Sequence, residues 1–112
     1  MRSVSTHVLD TALGRPASGV PVLLEKRGES GWSREGGGAT DGDGRIKDLV
    51  PEGKLEIATY RITFDTGAYY EARSTVCFYP EVSVVFQIRD PESHYHVPLL
   101  VSPYGYSTYR GS

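Results

Sequence analysis

Val82-Ser83-Val84-Val85-Phe86-Gln87-Ile88-Arg89 repeats with a period of two, placing Val82, Val84, Phe86 and Ile88 on one side. A helix would space its apolar residues three and four apart, so this stretch reads as a strand with one face on a core. The same alternation recurs upstream, with Val20, Val22 and Leu24 set against Pro21, Leu23 and Glu25. It recurs again with Tyr60, Ile62 and Phe64 set against Arg61 and Thr63. Turn-forming clusters fall between: Leu13-Gly14-Arg15-Pro16, Gly36-Gly37-Gly38, Asp41-Gly42-Asp43-Gly44, Pro51-Glu52-Gly53, Asp90-Pro91 and Ser102-Pro103. Only Thr66 to Arg73 suggests a helix, of about two turns, capped by Asp65 or Thr66. About seven or eight short strands predict an all-β antiparallel sandwich with Greek-key connections and one short α-helix.

The rest of the chain fits one such domain, spanning residues 1–112 of 112. Hydrophobic residues make up 38% and charged residues 23%, too apolar a mixture for a disordered chain. Twelve basic residues against 14 acidic leave a net charge of -2, which is no footprint for a nucleic-acid partner. Cys77 is the only cysteine, so an intramolecular disulfide framework and a thiolate zinc cluster are excluded. Its apolar setting, Thr75-Val76-Cys77-Phe78-Tyr79, suits a packed residue better than a nucleophile. Met1 to His7 carries no apolar signal core, and no window reaches the ~18 apolar residues of a membrane span. A soluble, cytoplasmic protein with no membrane partner is expected.

His94 to Val101 is the most informative segment. On a strand, Tyr95, Val97, Leu99 and Val101 share one face and His94, His96, Pro98 and Leu100 the other. The first set enters the core. The second is also largely apolar, although a two-layer sandwich leaves its outer faces to water. Another subunit is the economical cover, and His96 would then sit in a partly dry groove where its pKa is tuned. A surface histidine beside a few harmless apolar residues is the plainer alternative. Pro98 lacks a ladder donor, so a gap, bulge or channel is expected beside it.

Four further positions can do chemistry. His7, in Ser5-Thr6-His7-Val8, points away from the Val4 and Val8 face of its strand. Arg45 leaves the tight Asp41-Gly42-Asp43-Gly44 turn, and Tyr109 and Ser112 close the sequence. Two histidines and an arginine suit amide or lactam hydrolysis: a histidine takes a proton from water, and the arginine holds an anion and a developing oxyanion. A GxSxG elbow is missing, so a serine triad has no support. The aspartates of 41–44 do not continue into a calcium loop, because Arg45 and Ile46 stand where ligand and glycine are needed. His94, His96 and His7 offer zinc a thin site without a carboxylate, which leaves adventitious zinc open.

The run His94-Tyr95-His96-Val97-Pro98-Leu99-Leu100-Val101-Ser102-Pro103-Tyr104-Gly105-Tyr106-Ser107-Thr108-Tyr109-Arg110-Gly111-Ser112 resembles the signature of the 5-hydroxyisourate hydrolases, purine-catabolic relatives of transthyretin. Ser5-Thr6-His7-Val8-Leu9-Asp10 and Thr40-Asp41-Gly42-Asp43-Gly44-Arg45 resemble that family's other two blocks, in the family's order. The resemblance implies a transthyretin-like sandwich of about eight strands, assembled as a homotetramer (a dimer of dimers) with sites in the channel between dimers. It also implies hydrolytic opening of 5-hydroxyisourate to 2-oxo-4-hydroxy-4-carboxy-5-ureidoimidazoline in urate breakdown toward allantoin, with no metal or organic cofactor. His7, Arg45 and His96 match the catalytic trio, and Tyr109 and Ser112 match residues lining the substrate site. Either His7 or His96 activates water, with His96 favoured. Ser112 offers a hydroxyl and a carboxylate to fix a histidine tautomer. His94 belongs to the motif without an assigned role, and the family carries proline at the position of Pro98. A transthyretin-like carrier without turnover is the alternative. An immunoglobulin-like module is disfavoured because the Cys–Trp–Cys arrangement is missing.

Overall fold

The computed structural model describes residues 3–50 and 54–112, so the turn expected at Pro51-Glu52-Gly53 lies outside the described residues. Among them are ten strands and one helix: β1 (Val4–Asp10), β2 (Arg15–Pro16), β3 (Pro21–Gly28), β4 (Gly31–Ala39), β5 (Arg45–Ile46), β6 (Ala58–Phe64), α1 (Thr66–Glu71), β7 (Val82–Ile88), β8 (Tyr95–His96), β9 (Leu99–Ser102) and β10 (Gly105–Thr108). One sheet runs β4-β3-β6-β7; the other centres on β1, in the order β10-β9-β1-β2, with β5 and β8 also pairing to β1. The count exceeds the expected eight because β2, β5 and β8 are two-residue pieces. Pairing is antiparallel except that β1 runs parallel to β8 and β9.

Alternation builds the first sheet as the sequence predicts. Val22 and Leu24 of β3, Tyr60, Ile62 and Phe64 of β6, and Val82 and Ile88 of β7 are buried. Each such side chain stabilises the fold by about 1.5–3 kcal/mol relative to exposure. Val84 and Phe86 pack at the rim of the same core, while Ser83, Val85 and Gln87 face water. Cys77 also packs against that core, partly buried.

Gly36-Gly37-Gly38, expected as a turn, lies instead inside β4 and pairs with Val22 to Leu24. Contact decides this. A Cβ at Gly36 would fall 1.7 Å from the Leu49 carbonyl oxygen, so the strand fits only without a side chain there. The helix begins where expected, with the Asp65 side chain accepting from the Ala68 N–H at 2.9 Å. It is tied to β1 by the Tyr69 hydroxyl, which donates to Asp10 Oδ2 at 2.7 Å. Burial and the Asp10 carboxylate push the Tyr69 phenol up to about 12.

The His94–Val101 segment divides its faces as predicted, with Tyr95, Val97, Leu99 and Val101 all buried. On the other side, Pro98 is buried too, Leu100 and His96 are half-buried, and His94 is exposed. Pro98 stands in the break between β8 and β9, so its missing N–H removes no ladder bond. Its carbonyl accepts from Thr108 Oγ1 at 2.7 Å. Among the described residues, no helix is long and apolar enough to cross a membrane.

Candidate active site

Strand register assembles the site. His7 of β1 lies opposite Arg45 of β5, and Ser5 of β1 opposite His96 of β8. Paired residues of adjacent strands project to the same side of a sheet, and so do residues two apart on one strand. Ser5, His7, Arg45 and His96 therefore share one face, and it is the outer one. Val4 and Val8 are fully buried and Thr6 is nearly so, while His7 is only half-buried. His94, two residues before His96, joins the same face.

The Arg45 corner is built by its own backbone. Asp41 Oδ1 accepts from the N–H groups of Asp43 and Arg45, both at 2.9 Å, and the Gly44 N–H donates to the Asp41 carbonyl at 2.9 Å. These N–H donors, that of Arg45 foremost, hold the Asp41 carboxyl below its ordinary value. Gly44 has φ +75°, and its carbonyl accepts from the Val8 N–H at 2.7 Å, which locks the turn against β1. Arg45 leaves this corner exposed, beside the groove.

That groove has a volume of about 440 Å³ and is lined by Ser5, Arg45, Lys47, His94, His96 and Ser112, among others. The size suits a small polar heterocycle. His7 stands beside it on the same face, close enough for its charge to act on His96. The His96 imidazole is held below its ordinary pKa, first by burial, then by the neighbouring charges of His7, His94 and Arg45. The shift favours the neutral imidazole, the form in which it can accept a proton.

Two further contacts fix the His96 ring. Ser5 Oγ lies 2.8 Å from its Nδ1 and 2.9 Å from His94 Nε2. The chain's last residues fold back over the ring, with the Gly111 N–H donating to the His96 carbonyl at 2.9 Å. A Cβ at Gly111 would lie 2.5 Å from His96 Cδ2, so a bare backbone is required there. This return brings Ser112 to the groove. Tyr109 does not line the His96 groove: it borders a neighbouring depression with His94, Arg110 and Ser112, and on its other side an apolar cleft with Phe86 and Tyr95. Among the described residues, no three His, Cys, Asp or Glu side chains gather with metal-binding geometry, so His7, His94 and His96 form no zinc set.

Ser5 and Lys47 went unnoticed in the sequence. Ser5 carried a usable signal, since it lies two residues before His7 and so on the same strand face. Its contact with two histidines about 90 positions away depends on the parallel pairing of β1 with β8, which local periodicity does not encode.

Comparison with known proteins gives the family and the fold. Residues 4–111 match the HIUase/Transthyretin family. A protein of Salmonella dublin described as 5-hydroxyisourate hydrolase is 50% identical over 109 residues, covering 97% of this chain and 80% of its own. The structure of Klebsiella pneumoniae 5-hydroxyisourate hydrolase superposes with a TM-score of 0.85 at 35% identity, covering 98% of this chain and 99% of that one. Sea bream transthyretin, solved in complex with thyroxine, superposes with a TM-score of 0.90 at 32% identity, over 96% of this chain and 93% of that one. Over residues 4–111, the chain belongs to the HIUase/Transthyretin family.

Proposed function

We propose that this protein is a 5-hydroxyisourate hydrolase, opening the ring of its substrate to 2-oxo-4-hydroxy-4-carboxy-5-ureidoimidazoline in urate breakdown. The observation that carries the reading is the shared outer face of His7, Arg45 and His96, in a chain 50% identical to a protein of that name. Fold likeness alone does not choose, because transthyretin superposes as well as the hydrolase does. The groove does choose: Arg45, Lys47 and two histidines make a lining costly to desolvate for the apolar ligand of a carrier.

The chemistry follows from the groups present. Ring opening breaks a cyclic C–N amide bond, adds water's oxygen to the carbonyl carbon, and returns a proton to the departing nitrogen. His96, neutral and with Nδ1 committed to Ser5, offers Nε2 to the attacking water. Arg45 holds the urate-like anion and stabilises charge growing on the carbonyl oxygen. His7, beside it on β1, orients water or substrate. Ser112 borders the groove and Tyr109 the adjoining depression, so the terminal run forms one wall of the site. Side chains alone provide base, acid and charge stabilisation, and the reading assigns no metal or cofactor.

The reading also takes residues 1–112 as one working domain, cytoplasmic in location, and a homotetramer in solution. Among the described residues no second layer covers the outer sheet face that bears the site, which supports enclosure by another subunit. Sedimentation at assay dilution is expected to show activity travelling with the tetramer; a fully active single chain would remove the subunit channel from the mechanism. The decisive assay is direct. Purified protein should accelerate the ultraviolet decay of freshly generated 5-hydroxyisourate, and a rate equal to buffer alone rejects the hydrolase.

A further inference from the structure

We propose that Ser5 and His94 form a proton relay behind His96, converting it from base to acid between the two halves of the ring-opening step. The inference rests on the hydrolase reading and adds two positioning residues to it. Its basis is a shortage of hydrogens. Ser5 Oγ sits within hydrogen-bond distance of both His96 Nδ1, at 2.8 Å, and His94 Nε2, at 2.9 Å. A hydroxyl has one proton, so it donates to one ring nitrogen and accepts from the other.

The two arrangements give His96 opposite properties. When Ser5 donates to His94, it accepts from His96 Nδ1–H, and the groove-facing Nε2 of neutral His96 carries a free lone pair. When Ser5 donates to His96 Nδ1, it accepts from His94 Nε2–H, and Nε2 of neutral His96 bears the proton. The first is the base that water requires; the second is the acid that the departing nitrogen requires.

The protons balance through one cycle. Nε2 of His96 takes a proton from water as hydroxide attacks the carbonyl carbon. The Nδ1 proton of the resulting imidazolium passes to Ser5 Oγ, while the Ser5 proton passes to His94 Nε2. His94, already protonated on Nδ1, becomes the cation, and His96 is left neutral with its proton on Nε2. That proton goes to the leaving nitrogen as the C–N bond breaks. The relay runs backward in that same step, His94 Nε2 returning its proton to Ser5 Oγ as Ser5 protonates His96 Nδ1, so that His96 never passes through an imidazolate and the pair is reset.

Placement suits each role. Within one chain His94 is exposed and His96 half-buried, so of the two rings His94 is the more tolerant of charge. The groups facing His96 are His7 and Ser5 from β1, Arg45 from β5, His94 from its own segment, and the backbone of Gly111 from the terminal run. Lys47 lies farther along the groove. Of these, His7 and Arg45 can carry positive charge close to His96, and both favour moving the proton outward to His94.

Ser5→Ala and His94→Asn in the full-length protein are expected to lower kcat about tenfold each, with KM within about twofold because neither group holds substrate. Added imidazole should restore turnover in proportion to its concentration, since it replaces the lost proton acceptor. Ser5→Thr, which keeps the hydroxyl, should retain most activity. Loss of kcat without imidazole rescue, or a wild-type kcat and pH profile in His94→Asn, overturns the relay. Nitrogen-15 NMR of the His96 ring gives a readout independent of turnover: mixed tautomers are expected, collapsing toward one in His94→Asn. An unchanged ring spectrum sinks the relay even where ring opening is confirmed. A wild-type chain without turnover sinks the hydrolase reading instead.

Discussion

His96→Asn is expected to lower kcat for 5-hydroxyisourate opening by about 10²–10⁴-fold, the span typical of a lost general base. Asparagine reaches the same Ser5 hydroxyl and nearly fills the imidazole's space, so the turn of the chain from β8 into Val97 should survive. The thermal midpoint and sedimentation should therefore stay close to those of the unaltered protein. KM should change little, because Arg45 remains to hold the anion. Stopped-flow ultraviolet assays of His96→Asn and His7→Asn side by side check the assignment. Near-normal turnover in the first with collapse in the second moves the base to His7.

The pH profile carries the same argument. Burial and the charges of His7, His94 and Arg45 hold the folded His96 below its ordinary value of 6.5. The acid limb of kcat/KM should therefore fall below pH 6.5, where an exposed histidine would already be half protonated. The sign for stability follows from the same shift. As pH drops through 6.5 the unfolded chain binds this proton first, so the native state loses ground until folded His96 is protonated as well. Above that window the residue contributes no pH dependence. Thermal melts of wild type against His96→Asn should thus diverge in slope only on the acid side.

The strands that obey alternation were readable from residues alone. β3, β6 and β7 each bury one face, and their apolar residues form a period-two pattern that no helix reproduces. The split of faces from Tyr95 to Val101 was readable for the same reason. β4 was hidden, because Gly36, Gly37 and Gly38 read as a turn until the Leu49 carbonyl is seen to occupy the place of a side chain. The chemistry divides similarly. His7, Arg45 and His96 were visible as residue types in recognisable blocks, but nothing local places Arg45 opposite His7 or Ser5 between two histidines. Those contacts come from β1 pairing on both its edges at once. Tyr109 marks the opposite case: its motif was plain, yet the fold sets it beside the groove and not in it.

Gly44→Ala is expected to destabilise the fold by about 2–4 kcal/mol and to remove most of the activity, although the residue touches no substrate. Two costs add. At φ +75° an alanine sits in the left-handed region that L side chains rarely adopt. Its Cβ would also lie 2.4 Å from the Val8 carbonyl oxygen, 3.1 Å from Pro16 Cβ and 3.2 Å from the Ala17 nitrogen, and two of these are backbone that cannot swing away. Relief requires moving the 41–44 turn off β1. That movement breaks the bond from the Val8 N–H to the Gly44 carbonyl and carries Arg45 away from His7. The midpoint of thermal unfolding should drop by roughly 10–20 °C, and KM should rise along with the fall in kcat, because Arg45 both binds and stabilises. Gly42→Ala is the internal control. In the same turn, a Cβ there meets nothing within 4 Å and φ lies outside the left-handed region, so its midpoint and kinetics should match the parent within error. Equal tolerance of both substitutions would show that the corner does not position Arg45, and the shared face of arginine and histidines would lose its structural cause.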